Sequence, residues 1–131
     1  MRLFDVIETI DRPKLCRELA KAEEKTGLRR KYLIQVNTGE EPQKAGVSPD
    51  GVESLLQTAR EAALDVVGLM CIPPVEEPAG PHFALLARIA GRLGLEQLSM
   101  GMSSDYETGA QFGATHVRIG TALFGPRDYS A

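Results

Sequence analysis

Short apolar runs alternate with amphipathic stretches along the whole chain. The apolar runs predict strands over residues 3–9, 32–37, 66–70, 98–100 and 116–119. Apolar residues at helical spacing, as at Leu15, Leu19 and Ala22, predict helices over residues 11–27, 48–63, 82–93 and 104–113. Strict alternation of strands with helices is typical of parallel strands joined by right-handed crossovers. We therefore predict an α/β fold in a single domain that covers residues 1–131.

The C-terminal third of the chain places small polar residues at two strand ends and one helix start. Ser104 and Glu107 have the capping-box spacing, which predicts that a helix begins at about Ser104 with its N-terminal amide groups facing the strand ends. Gly120 and Thr121 follow the last strand and offer backbone N–H groups and a hydroxyl, and Ser103 has no evident local role. These features predict a cradle for an anion such as phosphate. A purely structural role stays open, because capping alone would explain Ser104 and relief of crowding would explain Gly120.

Arg118 is the residue for which the sequence indicates a ligand-binding role most specifically. A period of two along the last strand places Val117 and Ile119 on one face and Arg118 on the other. If the first face packs against helices, Arg118 points to the inner side of the sheet. A buried guanidinium needs an acceptor, so we expect a carboxylate or a ligand there. A structural salt bridge is the alternative.

Composition and charge exclude several classes of protein. The formal net charge is −3, with 43% hydrophobic and 25% charged residues, which gives no electrostatic case for binding nucleic acid or an anionic membrane. The chain contains no apolar run of membrane-spanning length and no signal-peptide pattern, so we predict a cytoplasmic protein. Its cysteines, Cys16 and Cys71, suggest neither a disulfide framework nor a metal site.

Several motifs resemble one known family. They are VNTGE at residues 36–40, KAGV at 44–47, GLM at 68–70, LSMGMS at 98–103 and VRIGTALFG at 117–125. In order and spacing, these runs closely resemble the pyridoxal-phosphate homeostasis proteins, the YggS/PROSC family, over essentially the whole chain. The resemblance implies a TIM-type (β/α)8 barrel like the N-terminal domain of alanine racemase, with pyridoxal 5'-phosphate (PLP) as the ligand.

The resemblance also implies roles for individual residues. Ser103, Gly120 and Thr121 would hold the phosphate, and Arg118 would face the pyridine nitrogen. We include three more residues, Asn37, Met102 and Ser104, among the candidate cofactor-binding residues. Asn37 lies at the carboxyl end of a strand, and capping of the loop that follows would explain it equally well.

One difference from the family pattern matters. Family members carry about a hundred further N-terminal residues, including the first three strands and the lysine that forms the Schiff base with PLP. We therefore expect an incomplete barrel here, with about five parallel strands and four helices, and no Schiff-base lysine in this chain. Helices should lie on one face of the sheet. The open sheet edges suggest self-association.

Three functions remain open at this stage. The first is a PLP-binding homeostasis protein that holds the cofactor by its phosphate without turnover, with PLP-dependent apo-enzymes as recipients; we favour this one and predict no enzymatic activity. The second is a barrel enzyme acting on a phosphorylated metabolite, which is weakened because no Asp, Glu or Lys is expected at the strand ends near the cradle. The third is a non-binding remnant.

Overall fold

The computed structural model describes residues 3–126, so the first two and last five residues of the predicted domain lie outside it. Its strands are β1 (Val6–Ile10), β2 (Lys31–Val36), β3 (Asp65–Cys71), β4 (Gln97–Met102) and β5 (His116–Arg118). Its helices are α1 (Pro13–Thr26), α2 (Val52–Glu61), α3 (Ala79–Leu93), α4 (Tyr106–Gln111) and α5 (Thr121–Phe124). A 3-10 turn, Pro49–Gly51, precedes α2. The predicted alternation is confirmed, apart from α5, which the sequence pattern did not predict.

The five strands form one parallel sheet in the order β1-β2-β3-β4-β5. Because the order never reverses, each right-handed crossover places its helix on the same side of the sheet. The five strands and their helices form part of the circumference of a (β/α)8 barrel, as predicted. Within residues 3–126, β1 and β5 are the two edges.

A single apolar cluster joins the helices to one face of the sheet. Alternate residues of β2, namely Tyr32, Ile34 and Val36, belong to it and are at most 1% exposed. Phe83 and Leu86 of α3 pack in the same cluster and are fully buried. Leu33, Met70 and Ser99, which are also buried, point to the opposite, inner face of the sheet and lie outside the cluster. No helix of the described residues has the length and hydropathy of a membrane span.

A buried carboxylate ties α1 to the start of β2. Glu23 is 6% exposed, and its Oε1 accepts hydrogen bonds from the backbone N–H of Arg30 and the hydroxyl of Tyr32, both at 2.9 Å. Burial, followed by the hydrogen bond to this carboxylate, raises the pKa of Tyr32. The contact lies at the amino ends of the strands, away from the predicted cradle.

The region between β4 and β5 differs from the prediction. Helix α4 begins at Tyr106 rather than at Ser104, and no side chain caps its first turn, so the predicted capping box is wrong. Asp105 occupies the N-cap position and bonds backwards, with its Oδ1 accepting from the N–H of Met102 at 2.7 Å. Gly101 permits the close approach of α4, because its φ is +103° and a Cβ would lie 3.0 Å from the Cα of Tyr106.

Candidate active site at the carboxyl ends of the strands

A cavity of about 1110 Å³ opens at the carboxyl ends of β3, β4 and β5. Parallel strands present these ends at one edge of the sheet, where barrel folds place their ligands. The lining includes most of the candidate cofactor-binding residues, namely Met102, Ser103, Ser104, Arg118, Gly120 and Thr121. The structure therefore brings together residues that are up to 19 positions apart in the sequence.

The Arg118 side chain extends from β5 across β4 on the inner face of the sheet, as its position in the alternation predicted. Its Nη1 donates to the Oγ of Ser99 on β4 at 2.6 Å, and its Nη2 donates to the carbonyl of Cys71 at the end of β3 at 2.9 Å. Both acceptors are uncharged, so neither is the carboxylate that was one of the two expected kinds of partner, the other being a ligand. Neutral acceptors fix the guanidinium without cancelling its charge, which stays available to a ligand in the cavity.

Ser103 joins the loop after β4 to the turn after β5. Its Oγ accepts hydrogen bonds from the backbone N–H groups of Ala122 at 2.9 Å and Gly120 at 3.2 Å. The sequence suggested no local role for Ser103, and the structure corrects this. Because the hydroxyl oxygen accepts both bonds, its own proton remains a donor for an anion beside Thr121.

Two carboxylates border the cavity, contrary to the expectation that none would. Asp105 lines it with the carboxylate that bonds to the N–H of Met102. Glu77 lines it as well, and its Oε1 lies 3.1 Å from the Nε2 of His82. A negative charge at the start of α4 opposes a phosphate at that helix end. An anion is therefore better served by the hydroxyl groups of Ser103 and Thr121 than by the start of α4.

Asn37 does not line the cavity. Its Nδ2 donates to the carbonyl of Glu41 at 2.8 Å, and its Oδ1 accepts from the N–H of Glu41 at 3.2 Å. These bonds close the loop after β2, so the structure favours the loop-capping alternative. The side chain already has both of its polar ends engaged, and this removes Asn37 from the set that the cavity brings together.

An apolar wall completes the cavity, and Met102 is the only one of its residues that the sequence analysis selected as a candidate. It consists of Ile72, Val75, Met102 and Phe124, with exposed fractions from 39% to 92%, together with Pro73 and Pro74. The double proline predicted only an irregular loop. That loop follows β3 and therefore lies at the carboxyl ends of the strands. This position could have indicated that the loop lines the cavity.

Cys71 lies behind the cavity at the end of β3 and is fully buried. Burial raises the pKa of its thiol to about 12, although the nearby charge of Arg118 acts in the opposite direction. The thiol is therefore protonated at neutral pH. A protonated, buried thiol is a poor nucleophile, and Cys71 serves the site through its carbonyl.

None of the five lysines of the chain lines the cavity. Lys14, Lys21 and Lys25 lie on α1. Lys31 starts β2 at the amino ends of the strands, opposite the cavity. Lys44, in the loop after β2, forms an ion pair with Glu41, with its Nζ 2.9 Å from a carboxylate oxygen. A covalent link between a cavity ligand and one of these amines has no support in this arrangement.

Comparison with known proteins identifies the family. The alanine racemase N-terminal domain family matches residues 1–128. The chain belongs to this family. A pyridoxal phosphate homeostasis protein of Aquifex aeolicus is 40% identical over 134 residues, which cover 95% of this chain and 59% of that protein. The predicted membership in the pyridoxal-phosphate homeostasis (YggS/PROSC) branch is thus confirmed.

Solved structures of a relative agree with this family. PipY of Synechococcus elongatus PCC7942 without PLP has a TM-score of 0.85 and 33% identity, over 93% of this chain and 62% of that one. The same protein with PLP bound has a TM-score of 0.79 and 32% identity, over 93% of this chain and 61% of that one. The chain therefore spans about three fifths of the length of these family members.

Proposed function

We propose that this chain binds PLP in the cavity at the carboxyl ends of β3, β4 and β5 and serves PLP homeostasis. The observation that carries the proposal is the inward guanidinium of Arg118, held by two neutral oxygens at a cavity that Ser103 and Thr121 also line. The family of the chain and the PLP-bound structure of PipY support the choice of ligand.

We assign different residues of the cavity to different parts of the ligand. Ser103, Gly120 and Thr121 receive the phosphate, since Ser103 and Thr121 carry hydroxyl donors and Gly120 has no side chain to obstruct the turn between them. Arg118 faces the pyridine nitrogen. Met102 and Ser104 border the ring and the mouth of the cavity.

The chemistry of Arg118 favours holding over turnover. Bound PLP supplies an electron sink for carbanions, and the sink is strongest when its ring nitrogen is protonated. A guanidinium is permanently charged and only donates hydrogen bonds, so it favours the unprotonated nitrogen. With no lysine at the cavity, we propose a role in storage and transfer of the cofactor rather than catalysis. Apo-enzyme recipients and a cytoplasmic location belong to the same proposal.

Equilibrium dialysis of the purified chain with PLP tests the function, followed by borohydride reduction and mass spectrometry. We expect saturable binding that inorganic phosphate competes away, full loss of PLP on dialysis, and no reduced adduct on any of the five lysines. Pyridoxal without its phosphate is the matched control and should bind more weakly. A reducible adduct on a lysine would contradict reversible holding, and absence of saturable binding would favour the remnant.

A second candidate function is an enzyme that acts on a phosphorylated metabolite. Asp105 and Glu77 favour it, because carboxylates at the cavity are the groups that proton transfer requires. Their engagement with the N–H of Met102 and the ring of His82 weakens it. Competition distinguishes the two, since a sugar phosphate that displaces PLP no better than inorganic phosphate does would rule against the enzyme.

A further inference from the structure

Ser99 sits in the middle of β4 with no exposed surface, on the face opposite the main apolar cluster. A buried hydroxyl requires a partner, because leaving a polar group unpaired in the interior is costly. Its Oγ accepts from the Nη1 of Arg118 at 2.6 Å, a short bond as expected for a charged donor. Ser99 does not line the cavity, whereas Arg118 does.

Two acceptors on different strands determine the plane of the guanidinium. Ser99 belongs to β4 and the carbonyl of Cys71 to β3, and each accepts from a different terminal nitrogen of Arg118. A long arginine side chain otherwise retains many rotamers, and ordering it on ligand binding would cost free energy. The backbone carbonyl has no side chain that a substitution could remove. Of the two acceptors, Ser99 is therefore the one whose hydrogen bond to Arg118 a substitution can remove.

We propose that Ser99 is a positioning residue that orients Arg118 toward the ring nitrogen of the bound cofactor. The proposal rests on the proposed function and deepens it. Ser99 acts by preorganisation: it holds the guanidinium in its ligand-facing geometry before the ligand arrives. Because its hydroxyl is uncharged, it does so without neutralising the charge of Arg118.

The test compares the unsubstituted chain with Ser99→Ala, which removes the acceptor, and Ser99→Thr, which retains a hydroxyl. Each is titrated with PLP labelled with nitrogen-15 in the ring, and nuclear magnetic resonance reports the protonation of the ring nitrogen. We expect Ser99→Ala to weaken binding about tenfold, the scale of one lost hydrogen bond to a charged group, and to move the ring signal toward that of free PLP. Ser99→Thr should restore both.

Controls separate positioning from stability. Val66→Ala removes volume on the helix-facing side of β3, away from Arg118, so it should lower stability and leave the ring signal unchanged. In the ligand-free chain, the Arg118 side-chain N–H signals should show faster motion in Ser99→Ala than in Val66→Ala. Circular dichroism confirms that each variant is folded.

The outcomes distinguish this proposal from the proposed function. If the unsubstituted chain binds PLP and Ser99→Ala leaves both the ring signal and the motion of Arg118 unchanged, the positioning role is overturned alone. If the unsubstituted chain binds no PLP, the proposed function fails and the role of Ser99 toward the cofactor falls with it. A ring signal that moves in Ser99→Ala and returns in Ser99→Thr supports both.

Discussion

The hydroxyl oxygen of Ser103 accepts a hydrogen bond from the backbone N–H of Ala122 at 2.9 Å. This bond joins the loop after β4 to the first turn of α5, and the N–H of Gly120 contributes a second, at 3.2 Å. The two loops that are proposed to hold the phosphate are thus held together by one side chain. Ser103 is at once a structural link and a hydroxyl donor at the cavity.

Ser103→Ala should weaken the binding of PLP to the chain by about 1–2 kcal/mol, because one donor to a charged group is lost and two N–H groups lose their acceptor. Isothermal titration with PLP measures the loss. Ser54→Ala, on the exposed side of α2, is the matched control and should bind as the unsubstituted chain does. Equal affinity of Ser103→Ala and the control would remove Ser103 from the phosphate site.

Gly68 and Gly91 form a matched pair for stability. A Cβ on Gly68 would collide with the backbone carbonyl of Gln97 across the β3–β4 ladder, whereas one on Gly91 of α3 would meet nothing within 4 Å. Gly68→Ala should lower the free energy of unfolding by about 1–3 kcal/mol or more through overpacking. Gly91→Ala should raise it by about 0.5–1 kcal/mol, since alanine loses less backbone entropy in a helix. Urea denaturation measures both, and equal effects would show that the two strands can separate at no cost.

Periodicity predicted the features that depend on local sequence. Strand and helix alternation and the inward direction of Arg118 follow from spacings of two and 3.6 residues, and the structure confirms them. The end of α1 at Gly27 was likewise predictable, because glycine readily adopts the left-handed conformation it has there.

Features that depend on contacts between distant segments were not predictable. The Ser104–Glu107 spacing suggested a capping box, but Asp105 takes the N-cap position and α4 starts at Tyr106. The partners of Arg118 lie 19 and 47 positions earlier in the chain, and no local pattern selects Ser99 or the Cys71 carbonyl. For Asn37, a residue at a strand end can serve a ligand or its own loop, and only the bonds to Glu41 decide.

Cys71 makes stability fall at alkaline pH. Burial raises the pKa of its thiol from the ordinary 9.0 to about 12 in the folded chain. Above pH 9 the unfolded chain releases this proton while the folded chain retains it, so the stabilisation is present below pH 9 and is lost between pH 9 and about 12. The contribution of Cys71 to the free energy of unfolding should fall by up to about 1.4 kcal/mol per pH unit.

Cys71→Ala tests this dependence. The variant should be less stable at neutral pH because a buried side chain is shortened, yet its free energy of unfolding should decline less steeply above pH 9. Urea denaturation at several pH values, for both chains, supplies the comparison. Parallel curves across this interval would show that the thiol does not titrate differently in the two states.

The two edges of the sheet are the basis of the last prediction. In the described part of the chain, β1 pairs only with β2 and β5 only with β4, so each leaves one side of its backbone unpaired. Apolar side chains accompany both edges: Val6 of β1 is 43% exposed and Val117 of β5 is 41% exposed. Unpaired backbone groups beside apolar surface favour pairing with another chain.

We therefore expect the purified 131-residue chain to self-associate, with a sedimentation coefficient that rises with concentration. A double variant, Val6→Lys with Val117→Lys, should shift the chain toward monomer, because each new charge opposes strand pairing at its edge. Leu28→Lys, at an exposed apolar position outside the strands, is the matched control and should leave the association unchanged. A monomer at all concentrations, or equal association in the double variant and the control, would show that the edges do not drive assembly.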